Sequence, residues 1–245
     1  MKKITIFIML TFILTVITAQ QTVSVGVEPF PPMINEDGTG FTIDLLHEIE
    51  KVSDFKFDIK IYPYNRAKIE LSLGTLDLIG HTPYKVETEE FYQYAQEIDW
   101  NIPTITDIYV KNKNNLNKID KLKKIGIPRG NKEFASSVTG IKIEQFYEGE
   151  INSLLKMLST GRIDAFWFER VSSMTTLKKL GITDIYFKQL PTQKISIGLA
   201  VKKDDKGDKL RKKLEDSLKK IDQNKVFAAY YEYANLPEIG KFLIK

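Results

Sequence analysis

"LSLGTLDLIG" at residues 71–80 and "LSTGRIDAFW" at residues 158–167 are two versions of one phrase. Each leaves an apolar, helix-like pattern at a glycine, Gly74 or Gly161, and enters a short apolar run through an aspartate, Asp77 or Asp164. Both pairs lie 87 residues apart. A glycine just past a helix stops it by turning left-handed, and a short apolar run after the stop reads as a buried strand. The phrase is helix, stop, central strand. Such punctuation is common in α/β chains, so the segments around each copy decide between coincidence and a duplicated architecture.

Around the first copy, "TVSVGV" (22–27) alternates and is rich in valine, which predicts a strand. The three prolines of "EPFPPM" (28–33) with their flanking residues must leave the sheet. "FTIDLLHEIEKVS" (41–53) has helical spacing, and "KFDIKIYPY" (56–64) predicts a second strand ending at Pro63. "NRAKIELSL" (65–73) follows as a short helix, with Asn65 as N-cap and Gly74 as C-cap. The order is βαβαβ, which points to a parallel α/β sheet.

The second copy repeats this grammar. Strands are predicted at "KKIGIP" (123–128), "IKIEQF" (141–146) and "RIDAFWF" (162–168). Helices are predicted in "RGNKEFASSV" (129–138), "GEINSLLKMLST" (149–160) and "ERVSSMTTLKKLG" (169–181), with a further strand at "IYFKQL" (185–190). Between the copies, "YAQEIDWNIPTITDIYV" (94–110) is extended, and "KISIGLAVKKDD" (194–205) returns as a strand. An amphipathic helix at 209–222 and a last helix at 225–234 follow. Two similar lobes joined by two crossover strands result, and such crossovers can act as a hinge. The expected boundaries are 20–101 with 195–245 for lobe one, and 102–194 for lobe two.

The first residues, "MKKITIFIMLTFILTVITAQQ", have a positive start, an uncharged apolar run and a small residue at Ala19. This is the pattern of a secretory signal peptide cleaved near Ala19, and the run is shorter than the ~20 residues a spanning helix needs. Losing 19 of 245 residues leaves 226, and losing two lysines lowers the formal charge from +4 to +2. That balance gives no reason to expect a nucleic-acid partner. The Lys-rich runs at 111–124 and 202–220 are interleaved with Asp, Glu or Asn and read as solvated surface. Cysteine is absent, so neither disulfides nor a lipid-carrying cysteine is available. A periplasmic location is the simplest expectation, with secretion from the cell as the other.

These segments, taken in order, resemble the periplasmic solute-binding proteins of the polar amino-acid type, the extracellular solute-binding family 3 that serves ABC transporters. The resemblance runs through "VSVGVEPFPPM", "GFTIDLLHEI", "LSLGTLDLI", "GIPRGN", "LLKMLSTGRIDAFWFE" and "ISIGLAVKKDD". It implies an α/β fold of two Rossmann-like lobes joined by a two-strand hinge, periplasmic binding protein-like and of type II. A small ligand would sit between the lobes, at the carboxyl ends of the strands. It also implies a monomer whose partners are an amino acid-like ligand and the membrane subunits of a transporter, with no cofactor.

The resemblance places Phe30 and Tyr64 as the aromatics that sandwich the ligand. Glu169 stands where the family carries an acid, usually Asp, for the ligand's α-amino group. Arg129, Asn131 and Lys132 fall at the helix start whose backbone N–H groups would meet a carboxylate. His81 and Thr82 close the third strand near the cleft. Spacing from Thr82 brings Lys85 to the position where the family has an arginine that grips the ligand's carboxylate. Lysine is a point charge without arginine's fork, and cannot reproduce a bidentate grip. Three possibilities follow: Lys85 holds the carboxylate with backbone help, Arg66 takes over, or the ligand is not an ordinary α-amino acid. His81 and His47, with no cysteine and no metal-ligand spacing, predict no metal site. An exported dehydratase-like enzyme using Glu169 and His81 as acid and base is one rival reading. A free-standing sensor module is the other.

Overall fold

The computed structural model describes residues 20–129, 131–190 and 195–243. The predicted signal peptide and Gly130 of the predicted Gly turn lie outside them. The first lobe is built from β1 (Gln21–Val27), α1 (Phe41–Val52), β2 (Phe55–Ile61), α2 (Tyr64–Leu73), β3 (Leu78–Pro83), α3 (Phe91–Tyr94) and β4 (Ala95–Pro103). The second holds β5 (Thr106–Val110), β6 (Ile125–Pro128), α4 (Lys132–Thr139), β7 (Phe146–Gly149), α5 (Ile151–Ser159), β8 (Ala165–Glu169), α6 (Arg170–Lys179) and β9 (Tyr186–Gln189). The chain then returns through β10 (Ser196–Lys202), α7 (Asp205–Leu218), α8 (Gln223–Val226), α9 (Ala228–Ala234) and β11 (Ile239–Lys241).

Two sheets result, ordered β2-β1-β3-β10-β4 and β11-β9-β5-β8-β6-β7. In the first, β1 runs parallel to β2 and β3, while β10 is antiparallel to β3 and β4. In the second, β6 runs parallel to β7 and β8, while β5 is antiparallel to β8 and β9. Each lobe thus repeats a parallel trio with its first strand in the middle, extended by an antiparallel strand. The sheets are mixed because the crossover strands β10 and β5 enter them from the far lobe. Core side chains cover both faces of each sheet. Along β5, Ile108 and Val110 pack on one face and Tyr109 on the other, as strand alternation requires.

The echoed phrase proves to be one structural device used twice. Gly74 and Gly161 both turn left-handed, with φ of 79° and 73°. The Asp77 amide donates to Ser24 O at 2.9 Å, and Asp77 Oδ2 accepts the Ser24 amide at 3.0 Å. The Asp164 amide donates to Lys124 O at 2.9 Å, and Asp164 Oδ2 accepts the Lys123 and Lys124 amides at 2.9 and 3.0 Å. Each aspartate staples the third strand of its parallel trio to the trio's first, Asp77 before β3 to the middle of β1 and Asp164 before β8 to the residues leading into β6. The preceding residues, Leu76 and Ile163, press on glycines of that first strand. A Cβ at Gly26 would lie 2.4 Å from Leu76 Cδ1, and one at Gly126 would lie 2.7 Å from Ile163 Cδ1.

Some expectations shift. α2 opens one residue earlier than expected, at Tyr64, because Pro63 fills the N-cap position, which puts Asn65 inside the helix. The strand expected at 141–146 starts only at Phe146, after a turn of 3₁₀ helix at Ile143–Gln145. The last stretch does not remain with lobe one, because β11 pairs with β9 in the second sheet. The carboxylate of Asp107 and Arg170 anchor that stretch from inside the second lobe. Both are fully buried, the guanidinium donates to the carboxylate at 2.7 and 2.9 Å, and Arg170 Nη1 donates to Leu236 O at 2.8 Å.

Candidate functional site

The carboxyl ends of β1, β2, β3, β6 and β8 all open on the space between the lobes. Residues just past them form two connected cavities that share Glu28, Phe30, Tyr64, Asn131 and Phe168. The outer one, about 1050 Å³, is bordered by the prolines after β1, by Arg129 and Glu150, and by Lys179 of α6. The inner one is about 230 Å³ and adds His81, Pro83, Thr104, Thr106, Trp167, Glu169 and Ile197. Phe30 sits at the centre, 6.0 Å from the Phe168 ring across the cleft and 5.7 Å from the His81 ring in its own lobe. Ser172 of α6 donates its hydroxyl to Pro31 O, so the lobes also touch through a hydrogen bond. The crossovers meet each other as well, with the Thr104 amide and hydroxyl donating to Ile195 O at 2.9 and 2.6 Å.

Glu169 is the most constrained of the polar groups. It is 5% exposed. It caps α6 by accepting the Ser172 amide on Oε2 at 2.7 Å, while Oε1 is buried with no hydrogen-bond partner among the described residues. Burial pushes this carboxyl up to about 7, against the pull of the Ser172 and Val171 amides. Glu28, which no sequence motif flagged, is also raised to about 7 by burial, with Lys68 pulling it down. Its only sequence signal is its place one residue past β1, at the end of a strand that points into the cleft. His81 Nε2 shares a hydrogen bond of 2.8 Å with Thr42 Oγ1, and Nδ1 is buried without a partner among the described residues. Burial pushes this imidazole down to about 3, so it is neutral at ordinary pH.

The structure brings Phe30, Tyr64, His81, Asn131 and Glu169 to the inner cavity, and Arg129 to the outer one. Tyr64 arrives with partners of its own, donating its hydroxyl to Glu87 at 2.5 Å beneath Lys68, whose Nζ is 4.7 Å from the ring centroid. Arg129 pairs with Glu150 at 3.0 Å. Thr82 is fully buried beside His81 but borders neither cavity, since successive residues of a strand face opposite ways.

Arg66, Lys85 and Lys132 do not join the lining. Arg66 is on the exposed face of α2, against the Tyr62 ring and 3.7 Å from Glu70. Lys85 sits in an exposed turn at φ 61°, its amide held by Glu97 and its Nζ 5.0 Å from the centroid of the Tyr84 ring. Lys132 reaches Glu148 at 3.7 Å. Sequence reasoning overlooked Glu28, Thr104, Trp167 and Phe168. The two aromatics were legible only as part of an apolar strand.

Two lobes, each with its parallel trio ending at one cleft, match the family model for bacterial extracellular solute-binding proteins, family 3, over residues 23–234. The chain belongs to that family. The probable amino-acid-binding protein YxeM of Bacillus subtilis (strain 168) is 29% identical over 210 residues, which cover 79% of this chain and 75% of YxeM. A solved substrate-binding protein of an amino acid ABC transporter shares the fold with a TM-score of 0.64 at 22% identity, covering 86% of this chain and 100% of that one. A histidine kinase sensor domain with similarity to periplasmic binding proteins does so with a TM-score of 0.65 at 15% identity, over 90% and 99% of the two chains. The family model and YxeM are both described as binding proteins, which points away from an enzyme. Among the described residues, no helix is long and apolar enough to cross a membrane.

Proposed function

We propose that this family 3 protein is exported, captures a small polar solute between its lobes, and delivers it to the membrane subunits of an ABC transporter. The solute is an amino acid or a related compound. One observation carries the reading: a buried acid with an unpartnered oxygen, Glu169, faces a cavity whose aromatic walls Phe30 and Phe168 come from opposite lobes. A solute held there touches both lobes at once, so occupancy and closure are linked. The crossovers at Thr104 and Ile195 would form the hinge. Lobe one would be 20–101 with most of the return segment, and lobe two 102–194 with β11. The predicted signal peptide, cleaved near Ala19, would bring a monomer to the periplasm.

A thermal-shift screen of the mature chain tests this, after unfolding and refolding to strip any carried solute. A ligand at a hundred times its dissociation constant adds ~2.7 kcal/mol. For this chain length, each kcal/mol raises the midpoint by roughly 2–4 °C. One or a few amino acids or amines should therefore stand several degrees above the remaining compounds. A flat response across amino acids, amines, sugars and carboxylates would overturn solute capture and favour the sensor or enzyme reading.

A further inference from the structure

The inner cavity is chemically one-sided. It is bordered by two carboxyl groups, Glu28 and Glu169, a neutral imidazole, the neutral polar residues Thr104, Thr106 and Asn131, aromatic rings, prolyl and aliphatic groups. No lysine or arginine borders it among the described residues. The cations nearest in sequence or space are committed elsewhere. Lys68 lies over Tyr64 and 3.7 Å from Glu87, Arg129 pairs with Glu150, and Lys132 pairs with Glu148. Arg66 and Lys85, the two candidates for gripping a carboxylate, stand on the outer surface. The helix start that could offer amides to an anion carries Glu133 in its first turn. A ligand carboxylate placed beside Glu28 and Glu169 would be a third acid there, with only Lys68, already shared by Glu28 and Glu87, as counter-charge, which is unfavourable.

Two buried atoms at the cavity that lack a partner among the described residues suit a positive ligand instead. Glu169 Oε1 is a buried acceptor awaiting a donor. His81 Nδ1 becomes a second acceptor when Nε2 donates to Thr42. Phe30 and Phe168 bring two aromatic rings to the site, and the π face of such a ring attracts an organic cation. The volume, about 230 Å³, is below the roughly 300–1,000 Å³ of drug-sized pockets, so the group seated in the inner cavity is compact. The outer cavity continues the same bias, with Glu28, Glu36, Asp37 and Glu150 against Arg129 and Lys179.

Building on the solute-capture reading, we infer that the ligand is a compact organic amine cation that lacks a carboxylate. Glu169 and Glu28 hold its charge, and Phe30 and Phe168 pack its carbon skeleton.

Matched pairs isolate the carboxylate. Calorimetric titration of the refolded mature chain would compare L-lysine with 1,5-diaminopentane, L-arginine with agmatine, and L-serine with ethanolamine, with choline added alone. At least one amine should bind ten-fold or more tightly than its parent amino acid, or choline should bind where no amino acid does. An amino acid binding as tightly as its decarboxylated counterpart would overturn the inference while leaving solute capture standing. Silence from all seven compounds, together with a flat thermal-shift screen, would bring both down. For the best amine, Glu169→Gln should cost ten-fold or more in affinity. If that variant does not fold, Glu28→Gln serves in its place. Unchanged amine binding in the folded variants would move the amine out of this cavity and refute the assignment.

Discussion

Phe30 of the first lobe and Phe168 of the second meet across the cleft with ring centroids 6.0 Å apart and planes tilted by 54°. With the Ser172–Pro31 hydrogen bond beside them, they make the cleft a joint surface of both lobes. Val171, next to Ser172 on α6, packs with the buried core of the first lobe, which ties the lobes further.

Truncating either ring should weaken the strongest ligand of the screen. A cation over an aromatic ring contributes about 0.5–2 kcal/mol, so Phe30→Ala and Phe168→Ala should each lose roughly 2–30-fold in affinity. Because the rings touch, the double variant should lose less than the two single losses combined. Titration calorimetry reads this. Unchanged affinity in both single variants would take the aromatics out of the site.

Arg66→Ala and Lys85→Ala should leave ligand affinity within about two-fold, since both cations are exposed and borders of neither cavity. A ten-fold loss in either variant would return that residue to the carboxylate-gripping role and undercut the amine assignment.

Glu169 makes stability depend on pH with a definite sign. Its carboxyl titrates near 4.5 when unfolded and at about 7 in the fold. Between those values the folded state holds more protons, so this group's contribution falls as pH rises from about 4.5 through about 7. The loss is on the order of 3 kcal/mol. Glu28 acts in the same direction. His81 acts in the opposite one, because its depressed value makes stability rise with pH between about 3 and 6.5. Asp107 adds to the rise at Glu169. The difference between wild type and Glu169→Gln isolates the group. The variant should gain on wild type as pH rises from 5 to 8 in urea unfolding, and a pH-independent difference would count against the buried acid. Affinity for an amine should climb over the same range as the acids ionise.

Replacing Arg170 by Met strands the fully buried Asp107 carboxylate and frees Leu236 O. Removing one partner of a buried pair typically costs 3–5 kcal/mol, so the midpoint should fall by about 10 °C. Replacing Asp107 by Leu as well should recover part of the loss. A cost below about 1 kcal/mol in the single variant would show that the pair does not hold the C-terminal stretch to lobe two.

Asp77→Ala should destabilise by about 1–3 kcal/mol, the cost of leaving a half-buried strand amide unmatched, and Asp164→Ala by about 0.5–1.5 kcal/mol, because the Lys123 and Lys124 amides it holds are exposed. Ligand affinity should be unaffected in variants that fold. If either change weakens the ligand without lowering the unfolding midpoint, the staple role is wrong for that aspartate.

Much of this architecture was legible because it is written in local signals. The left-handed glycines, the strand-starting aspartates and the spacing of helices and strands each act over a few residues, and their repetition exposed two lobes. Phe30, His81, Asn131 and Glu169 could be found because they lie within two or three residues of a strand's carboxyl end, where α/β folds collect their ligands. Glu28 obeys the same rule and escaped only because no motif drew attention to it. The shifts of the strand at 141–146 and of the helix start at Tyr64 arose where a turn or a proline competed with the local pattern.

The chain's own residue order therefore determined two α/β lobes, their crossovers and the edge at which a ligand would lie. Which side chains face that edge was a different matter. Lys85 and Arg66 are close in sequence to the site, yet a left-handed turn and an outer helix face carry their charges away. Phe168 and Glu169 come from lobe two to meet residues well over a hundred positions earlier in the chain, and β11 crosses to the second sheet. Strand and helix signals decay within a turn or two, whereas the charge balance of a cleft is set by packing between distant segments. Only the tertiary structure could decide that the inner cavity of this one is bordered by two acids and, among the described residues, by no lysine or arginine.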